Sequence, residues 1–144
     1  MNENAARYRP GDRAGHYESW FLRANHPERP LAFWIRYTVF SPAGRPENAM
    51  GELWAIVFDG ETRQCVAVKR ELPIADCRFG GEALPSVRIG DAVLDGREAH
   101  GAADASGHAI RWRLALRGAP EPVLLLPPAM YEAREFVEAG GLMS

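Results

Sequence analysis

The sequence has little of what marks secreted, membrane-spanning or nucleic-acid-binding proteins. Its 144 residues include two cysteines and one lysine, Lys69, and the formal net charge is −2. The longest apolar run, residues 123–130, contains two prolines, whereas a membrane-spanning helix needs roughly 20 apolar residues in succession. The scattered arginines and the slightly negative net charge give no general attraction to nucleic acid or acidic lipids. We therefore expect neither a membrane span nor a nucleic-acid partner.

The start of the chain and its two cysteines bear on the cellular compartment. Residues 1–13 are polar and lack the apolar core of a secretory signal peptide. Cys65 and Cys77 form no metal-binding pattern, and without a secretion signal we expect free thiols rather than a disulfide. The four histidines also lack the spacing of metal ligands. The sequence therefore predicts a cytoplasmic protein without a metal site, which begins with a flexible lead over residues 1–13.

The sequence does contain many short segments rich in β-branched and aromatic residues, separated by Gly and Pro turns. Such segments are typical of strands, and no stretch keeps a helical period over three turns. The length suits one domain, and Asp59-Gly60 is a strong turn signal. We predict an all-β antiparallel meander that closes as a barrel or sandwich. The predicted strands are residues 16–24, 31–41, 50–58, 64–72, 86–89, 92–94, 97–103, 108–117 and 123–126, and a helical turn is predicted over residues 130–137.

The segment 108–117 shows the clearest strand alternation. Apolar residues at even positions from Ile110 to Leu116 alternate with arginines at positions 111, 113 and 117. This pattern predicts a strand with one side against a core and the other side in water.

The first three predicted strands differ from the others, because both of their faces carry apolar bulk. The simplest hairpin at the Pro27 loop places Glu18 opposite Arg36. The same register places Trp20 opposite Trp34, and a simple turn after the second strand brings Glu52 diagonal to Arg36. One face is then expected to hold three tryptophans (Trp20, Trp34 and Trp54) around a cluster of Glu18, Arg36 and Glu52.

Two interpretations of this cluster stay open. In the first, the charged residues form an ion network on a barrel wall and the tryptophans are core residues, because cross-strand charge pairs are common. In the second, the cluster lines a cavity inside the barrel. Glu18 in its protonated form is then a general acid, and the tryptophan rings stabilise a carbocation through cation–π attraction.

Short aromatic motifs connect the chain to a known superfamily. They are Tyr17-Glu18-Ser19-Trp20-Phe21-Leu22-Arg23, Trp34-Ile35-Arg36-Tyr37-Thr38, Gly51-Glu52-Leu53-Trp54, Gly101-x-Ala103 and Ile110-x-Trp112-x-Leu114. Over most of residues 15–131 the chain resembles the tocopherol cyclase-like and carotenoid 1,2-hydratase (hydroxyneurosporene synthase) proteins and their AttH-type relatives. The resemblance implies a lipocalin-like, calycin-type β-barrel over residues 14–127, typically followed by a second similar barrel in the same chain.

The resemblance also implies a chemistry. Its enzymes hydrate or cyclise isoprenoid double bonds by acid catalysis, without a metal or redox cofactor. Glu18 matches the acidic position of the first-strand motif, and Tyr17 and Trp20 match its neighbours. Because the family continues into a second barrel where this chain ends, we expect residues 128–144 to be a tail or linker toward that barrel. The chain is then a fragment, or a half that forms a homodimer.

The leading functional prediction is a lipocalin-like domain that binds a hydrophobic small molecule of the isoprenoid or lipid class. One alternative is an acid-catalysed hydratase or cyclase that uses Glu18. Another is a structural half that assembles with a second barrel through apolar residues of the first three strands (Tyr17, Phe21, Phe33, Ile35, Tyr37, Leu53 and Val57). Glu18 is the predicted catalytic residue, and the predicted ligand-binding residues are Tyr17, Trp20, Trp34, Arg36, Glu52 and Trp54.

Overall fold

Nine antiparallel strands form the fold in the computed structural model, which describes residues 5–82 and 84–117. The strands are β1 (His16–Asn25), β2 (Leu31–Ser41), β3 (Met50–Asp59), β4 (Gln64–Pro73), β5 (Cys77–Gly80), β6 (Ser86–Ile89), β7 (Ala92–Leu94), β8 (Glu98–Ala105) and β9 (His108–Ala115). The predicted all-β fold is confirmed. Two short 3₁₀ turns, Pro46–Asn48 and Ile74–Asp76, are the only helical elements in these ranges, and neither could cross a membrane.

The strand bounds agree closely with those expected from turn residues and alternation. β2, β6 and β7 have the predicted bounds, and β1, β3, β4, β8 and β9 differ from the prediction by at most two residues at either end. The prediction missed β5, because alternation does not stand out in a four-residue strand that ends in glycine. The strand expected over residues 123–126, the turn over 130–137 and the tail over 128–144 lie outside the described residues.

Each strand pairs with its neighbour along the chain, within two separate sheets. Sheet 1 contains β1 to β4 and sheet 2 contains β5 to β9, and every pair is antiparallel. The predicted antiparallel meander is therefore confirmed. The chain passes from one sheet to the other at the Ile74–Asp76 turn. Within residues 5–82 and 84–117, β1 does not pair with β9, so the sheets form two packed layers and no closed barrel is found.

The core lies between the two sheets, where their inward side chains meet. Tyr37 of β2 is fully buried there. Its hydroxyl oxygen lies 2.9 Å from the Val93 carbonyl oxygen and 3.1 Å from that of His100, and it accepts a 2.8 Å hydrogen bond from Trp112 Nε1. Burial raises the pKa of Tyr37 to about 12, so the phenol keeps its proton at neutral pH. One hydroxyl thus joins sheet 1 to three strands of sheet 2.

A glycine in β8 makes room for the largest ring of this core. Gly101 lies opposite Trp112 in the β8–β9 pair. A Cβ atom at position 101 would lie 2.5 Å from Cζ2 of that indole ring. The missing side chain therefore lets Trp112 lie flat over β8 and reach Tyr37.

Alternation along the strands turns a second set of side chains away from the core. We call the outward side of sheet 1 the aromatic face; it carries Tyr17, Phe21, Trp34, Arg36, Phe40, Glu52, Trp54, Phe58, Lys69 and Glu71. We call the outward side of sheet 2 the arginine face; it carries Arg78, Arg88, His100, Arg111 and Arg113, together with the acids Glu98 and Asp104.

The apolar residues expected to meet a partner do not share one face. Tyr17 and Phe21 lie on the aromatic face and are exposed, whereas Ile35, Tyr37 and Leu53 are buried in the core. Phe33 packs against that core, and Val57 lies on the same inward side. The predicted single partner surface is therefore wrong, because sheet 2 of the same chain already covers most of it.

Candidate functional site

The observed β1–β2 register separates residues that were expected to face each other. Glu18 lies opposite Val39, and Trp20 lies opposite Tyr37. The expected partner of each residue lies three positions along β2 from the observed partner. Because successive side chains of a strand point to opposite sides of the sheet, a shift by an odd number of residues puts the expected partner on the other side. The predicted pairs of Glu18 with Arg36 and of Trp20 with Trp34 are therefore wrong.

The loop between β1 and β2 explains the shift. The His26 backbone nitrogen donates to the Leu31 carbonyl oxygen at 2.7 Å, which closes a wider loop than a simple turn at Pro27 requires. The His26 ring nitrogen Nδ1 accepts hydrogen bonds from the backbone nitrogens of Glu28 and Arg29, at 3.1 and 3.0 Å. A side chain therefore organises the loop, and the loop fixes the strand register.

The structure still brings five of the seven predicted site residues onto one side of sheet 1. Tyr17, Trp34, Arg36, Glu52 and Trp54 all lie on the aromatic face. Glu52 lies opposite Thr38, which is two residues after Arg36 on β2, so Glu52 is diagonal to Arg36 as expected. Glu18 and Trp20 are the two residues of the set that lie on the inward side.

Arg36 is surrounded by rings rather than by carboxylates. Its guanidinium carbon lies 5.1 Å from the ring centroid of Trp54, 5.7 Å from that of Trp34 and 6.0 Å from that of Phe21. Phe21 and Trp34 stack on each other with a centroid separation of 5.5 Å. Arg36 Nε is buried and has no hydrogen-bond partner among the described residues. Cation–π attraction is therefore the main interaction that holds this side chain.

Glu52 binds Lys69 rather than Arg36. Its Oε1 lies 3.7 Å from Lys69 Nζ, and its Oε2 accepts a long hydrogen bond of 3.4 Å from Trp54 Nε1. Lys69 Nζ also lies 4.8 Å from the Trp54 ring centroid. The expected Glu–Arg–Glu cluster does not form. Phe21 and Lys69, which the sequence prediction left out, complete the arrangement instead.

Glu18 holds the described part of the N-terminal lead against β1. Its Oε1 and Oε2 accept hydrogen bonds from the Arg7 backbone nitrogen, at 3.1 and 3.0 Å. Its Oε2 also lies 2.9 Å from His16 Nε2. These contacts bring Tyr8 into place, and Tyr8 is 9% exposed although it belongs to the polar lead.

Tyr8 and Trp20 both pack against one ring of sheet 2. The Tyr8 ring packs edge-on against Phe79, with centroids 5.8 Å apart, and lies 5.7 Å from the His16 ring. Trp20 stacks on Phe79 at 6.0 Å, with an interplanar angle of 13°. Phe79 lies in β5, the strand that the prediction missed, so no pattern in the sequence grouped these residues.

An open pocket of about 500 Å³ lies beside this ring cluster, between the lead and the β5 edge of sheet 2. We call it the lead pocket. Its wall is mostly apolar. The other lining residues include Cys77, Arg78 and Ser86. Burial raises the pKa of the Cys77 thiol, and burial together with the nearby thiol raises the pKa of Tyr8. The apolar part is formed by Tyr8, Pro10, Pro46, Ile74 and Phe79.

A smaller cavity of about 280 Å³ lies toward the other end of β2 and β3. Phe33, Val57 and Leu114 line it, and Arg111 and Arg113 lie at its border. The hydrogen bond between Tyr37 and Trp112 joins the sheets between the two cavities. The space between the sheets is therefore divided rather than continuous.

The described residues offer hydrophobic binding more readily than metal or nucleophile chemistry. Within residues 5–82 and 84–117, no group of three or more His, Cys, Asp or Glu side chains is placed to hold a metal ion. The two cysteines of these ranges are free, and burial keeps Cys77 protonated. Compared with known proteins, the chain matches no family model, no curated protein and no solved structure.

Proposed function

We propose that this domain binds a hydrophobic small molecule of the lipid or isoprenoid class in the lead pocket. The observation that carries the proposal is an open volume of about 500 Å³ whose wall is formed mainly by rings, prolines and isoleucine. Small-molecule sites usually occupy roughly 300–1,000 Å³ and are lined mostly by apolar and aromatic side chains, with few polar groups. Both the size and the wall of the lead pocket agree with such a site.

The proposal includes a lipocalin-like arrangement, in which the two sheets are the walls of an open barrel. Two features support it: the strands form an uninterrupted meander, and the lead pocket lies at one end of the space between the sheets. Tyr37 and Trp112 fill the middle of that space. The ligand is therefore expected at the end of the barrel, beneath the N-terminal lead, rather than at its centre.

Binding fits the surroundings of Glu18 better than acid catalysis does. Both carboxyl oxygens already accept hydrogen bonds from the Arg7 backbone nitrogen, and Oε2 lies 2.9 Å from His16 Nε2. Both oxygens are thus occupied by groups of the protein, whereas a general acid must direct a proton to its substrate. We assign Glu18 the role of holding the lead, so that Tyr8 forms one wall of the pocket.

Titration with retinol tests the proposal, because retinol bound beside Phe79 quenches the fluorescence of Trp20. We expect saturable quenching, and the variant Tyr8→Ala is expected to bind about tenfold more weakly, equivalent to roughly 1.4 kcal/mol. Phe58→Ala is the matched control, because this ring is 43% exposed on the aromatic face. Absence of saturable quenching in the unmodified chain, or an equal loss in both variants, would refute the proposal.

The aromatic face favours a second function, which we propose as assembly with another copy of this chain. Exposed aromatic rings in such number mark interaction surfaces. The same face carries two cations, Arg36 and Lys69, beside two acids, Glu52 and Glu71. A two-fold axis can therefore place opposite charges against each other. Sedimentation of the full chain should show a dimer that Phe21→Glu dissociates and Arg111→Glu leaves intact. A monomeric unmodified chain would contradict this function.

A further inference from the structure

An arginine of the lead pocket and its cross-strand neighbour have no acidic partners. Arg78 of β5 lines the pocket, and Arg88 of β6 lies directly opposite it in the antiparallel pair. Both side chains are exposed, and neither has a carboxylate within 4 Å in the described part of the chain. Like charges directly opposite each other on neighbouring strands destabilise a sheet. The pair is therefore a local excess of positive charge that nothing in these ranges neutralises.

The pocket wall supplies no negative charge to this pair. None of its ten lining residues is Asp or Glu. The two lining groups that could ionise to anions, Tyr8 and Cys77, have raised pKa values because they are buried, so both are neutral at pH 7. Asp76 precedes Cys77 in the chain but makes no ion pair with Arg78 within 4 Å. The site thus combines an apolar wall with an unneutralised cationic border.

We propose that the ligand of the lead pocket is an amphipathic anion, whose oxyanion head group is bound by Arg78 and Arg88. The inference rests on the proposed function and names the chemical class of its ligand. The hydrocarbon body packs against Tyr8 and Phe79. Phe79 lies on the inward side of sheet 2 and the two arginines on its outward side, so the ligand passes round the β5 edge, where Gly80 and Ser86 line the pocket. A guanidinium presents a planar fork of donors that matches a carboxylate or phosphate, and the bound anion also relieves the repulsion between the two arginines. A neutral molecule of the same shape does neither.

Three probes with the same hydrocarbon body test the head group: retinol, retinoic acid and retinyl phosphate. Each is titrated into the full chain, with quenching of tryptophan fluorescence as the signal. We expect at least one of the two anions to bind tenfold or more tightly than retinol, and the tighter one identifies the head group as carboxylate or phosphate. Raising the salt concentration should weaken binding of that anion and leave retinol binding nearly unchanged.

Three glutamine variants separate the Arg78–Arg88 pair from the rest of the arginine face. Arg78→Gln and Arg88→Gln should each lower the ratio of anion affinity to retinol affinity at least threefold. Arg111→Gln, on the same side of sheet 2 but outside the lead pocket, should keep the ratio of the unmodified chain. All three side chains are exposed, so none of the variants is expected to melt below the unmodified chain, which serves as the check on folding.

The outcomes distinguish the inference from the function on which it rests. If neither retinol nor the anions bind, the proposed function fails. If retinol and both anions bind equally, or if Arg111→Gln lowers the ratio as much as Arg78→Gln does, the anionic head group is refuted while hydrophobic binding stands.

Discussion

The aromatic face and the arginine face place positive charge in opposite surroundings. On the aromatic face, Arg36 lies among three rings, and Lys69 binds Glu52 and Glu71 while it lies over Trp54. On the arginine face, Arg78 opposes Arg88 and His100 opposes Arg113. Glu98 Oε1 lies 4.0 Å from His100 Nε2, whereas Arg78 and Arg88 have no ion pair among the described residues. Arg36 and Lys69 are therefore stabilised by their own sheet, and the Arg78–Arg88 pair is left to an outside partner.

The difference follows from what stands next to each cation across the strands. Arg36 has Phe21 on one neighbouring strand and Trp54 on the other. Arg88 has Arg78 on one side and Val93 on the other. Cross-strand neighbours are the contacts that stabilise a sheet surface. A net charge of −2 for the whole chain thus conceals one face whose cations are stabilised locally and one that carries an arginine pair without an ion pair among the described residues.

The largest expected effect is a loss of folding stability at high pH. It concerns both faces, because both exist only while the two sheets stay packed. Burial raises the pKa of Tyr37 to about 12 in the folded chain, whereas an ordinary tyrosine has a pKa of about 10. Above pH 10 the unfolded chain therefore releases this proton first, and stability falls as the pH rises. Urea unfolding should show that the unmodified chain loses about 2 kcal/mol relative to Tyr37→Phe between pH 10 and 12. A constant difference between the two proteins would contradict the burial of this hydroxyl.

At neutral pH, Tyr37→Phe removes the hydroxyl that joins the sheets. Trp112 Nε1 and the Val93 carbonyl oxygen then lose a buried partner, which costs about 1–3 kcal/mol of unfolding free energy. Tyr17→Phe is the matched control, because Tyr17 is 40% exposed on the aromatic face. Its effect should stay within about 0.5 kcal/mol. Equal losses in the two variants would show that the hydroxyl bond contributes nothing.

On the aromatic face, Arg36→Gln removes a cation that its own sheet stabilises. The loss of the contacts with Trp54, Trp34 and Phe21 should destabilise the chain by about 0.5–2 kcal/mol in urea unfolding. No change, or a gain in stability, would mean that the rings do not attract this charge.

On the arginine face, the corresponding substitution should have a smaller effect of opposite sign. Arg88→Gln removes the repulsion from Arg78 without breaking an ion pair in the described residues. The chain should therefore gain about 0.2–1 kcal/mol in the same unfolding assay at low salt, and the gain should shrink as salt is added. A loss of stability here would remove the contrast between the two faces.

The strands could be predicted from the sequence because their signals are local. Gly and Pro turns ended eight strands within two residues of their observed bounds, and the alternation from Ile110 to Leu116 placed Trp112 in the core. Two statements stay predictions. One is that the chain belongs to the superfamily that it resembles, and the other is that the two sheets act as a lipocalin-like barrel.

The site could be predicted only in part, because it depends on contacts between distant segments. The register of the β1–β2 pair depends on hydrogen bonds to the His26 ring. A pattern of hydrophobic residues contains no information on these bonds. The lead pocket needs Tyr8 from the lead and Phe79 from a four-residue strand. One signal was available: Tyr8 is the only aromatic residue among the polar residues 1–13.

The hydrogen bond between Tyr37 and Trp112 has a consequence for the order of folding. It spans 75 residues of chain, whereas every strand pair within a sheet joins neighbours in sequence. Hairpins between adjacent strands close short loops and form within microseconds, whereas contacts between distant segments carry a larger loop-closure cost. Each sheet can thus form from local hairpins before the two meet, and docking of one preformed sheet on the other is expected to limit the folding rate. Residues of the Tyr37–Trp112 contact are then expected to become structured late.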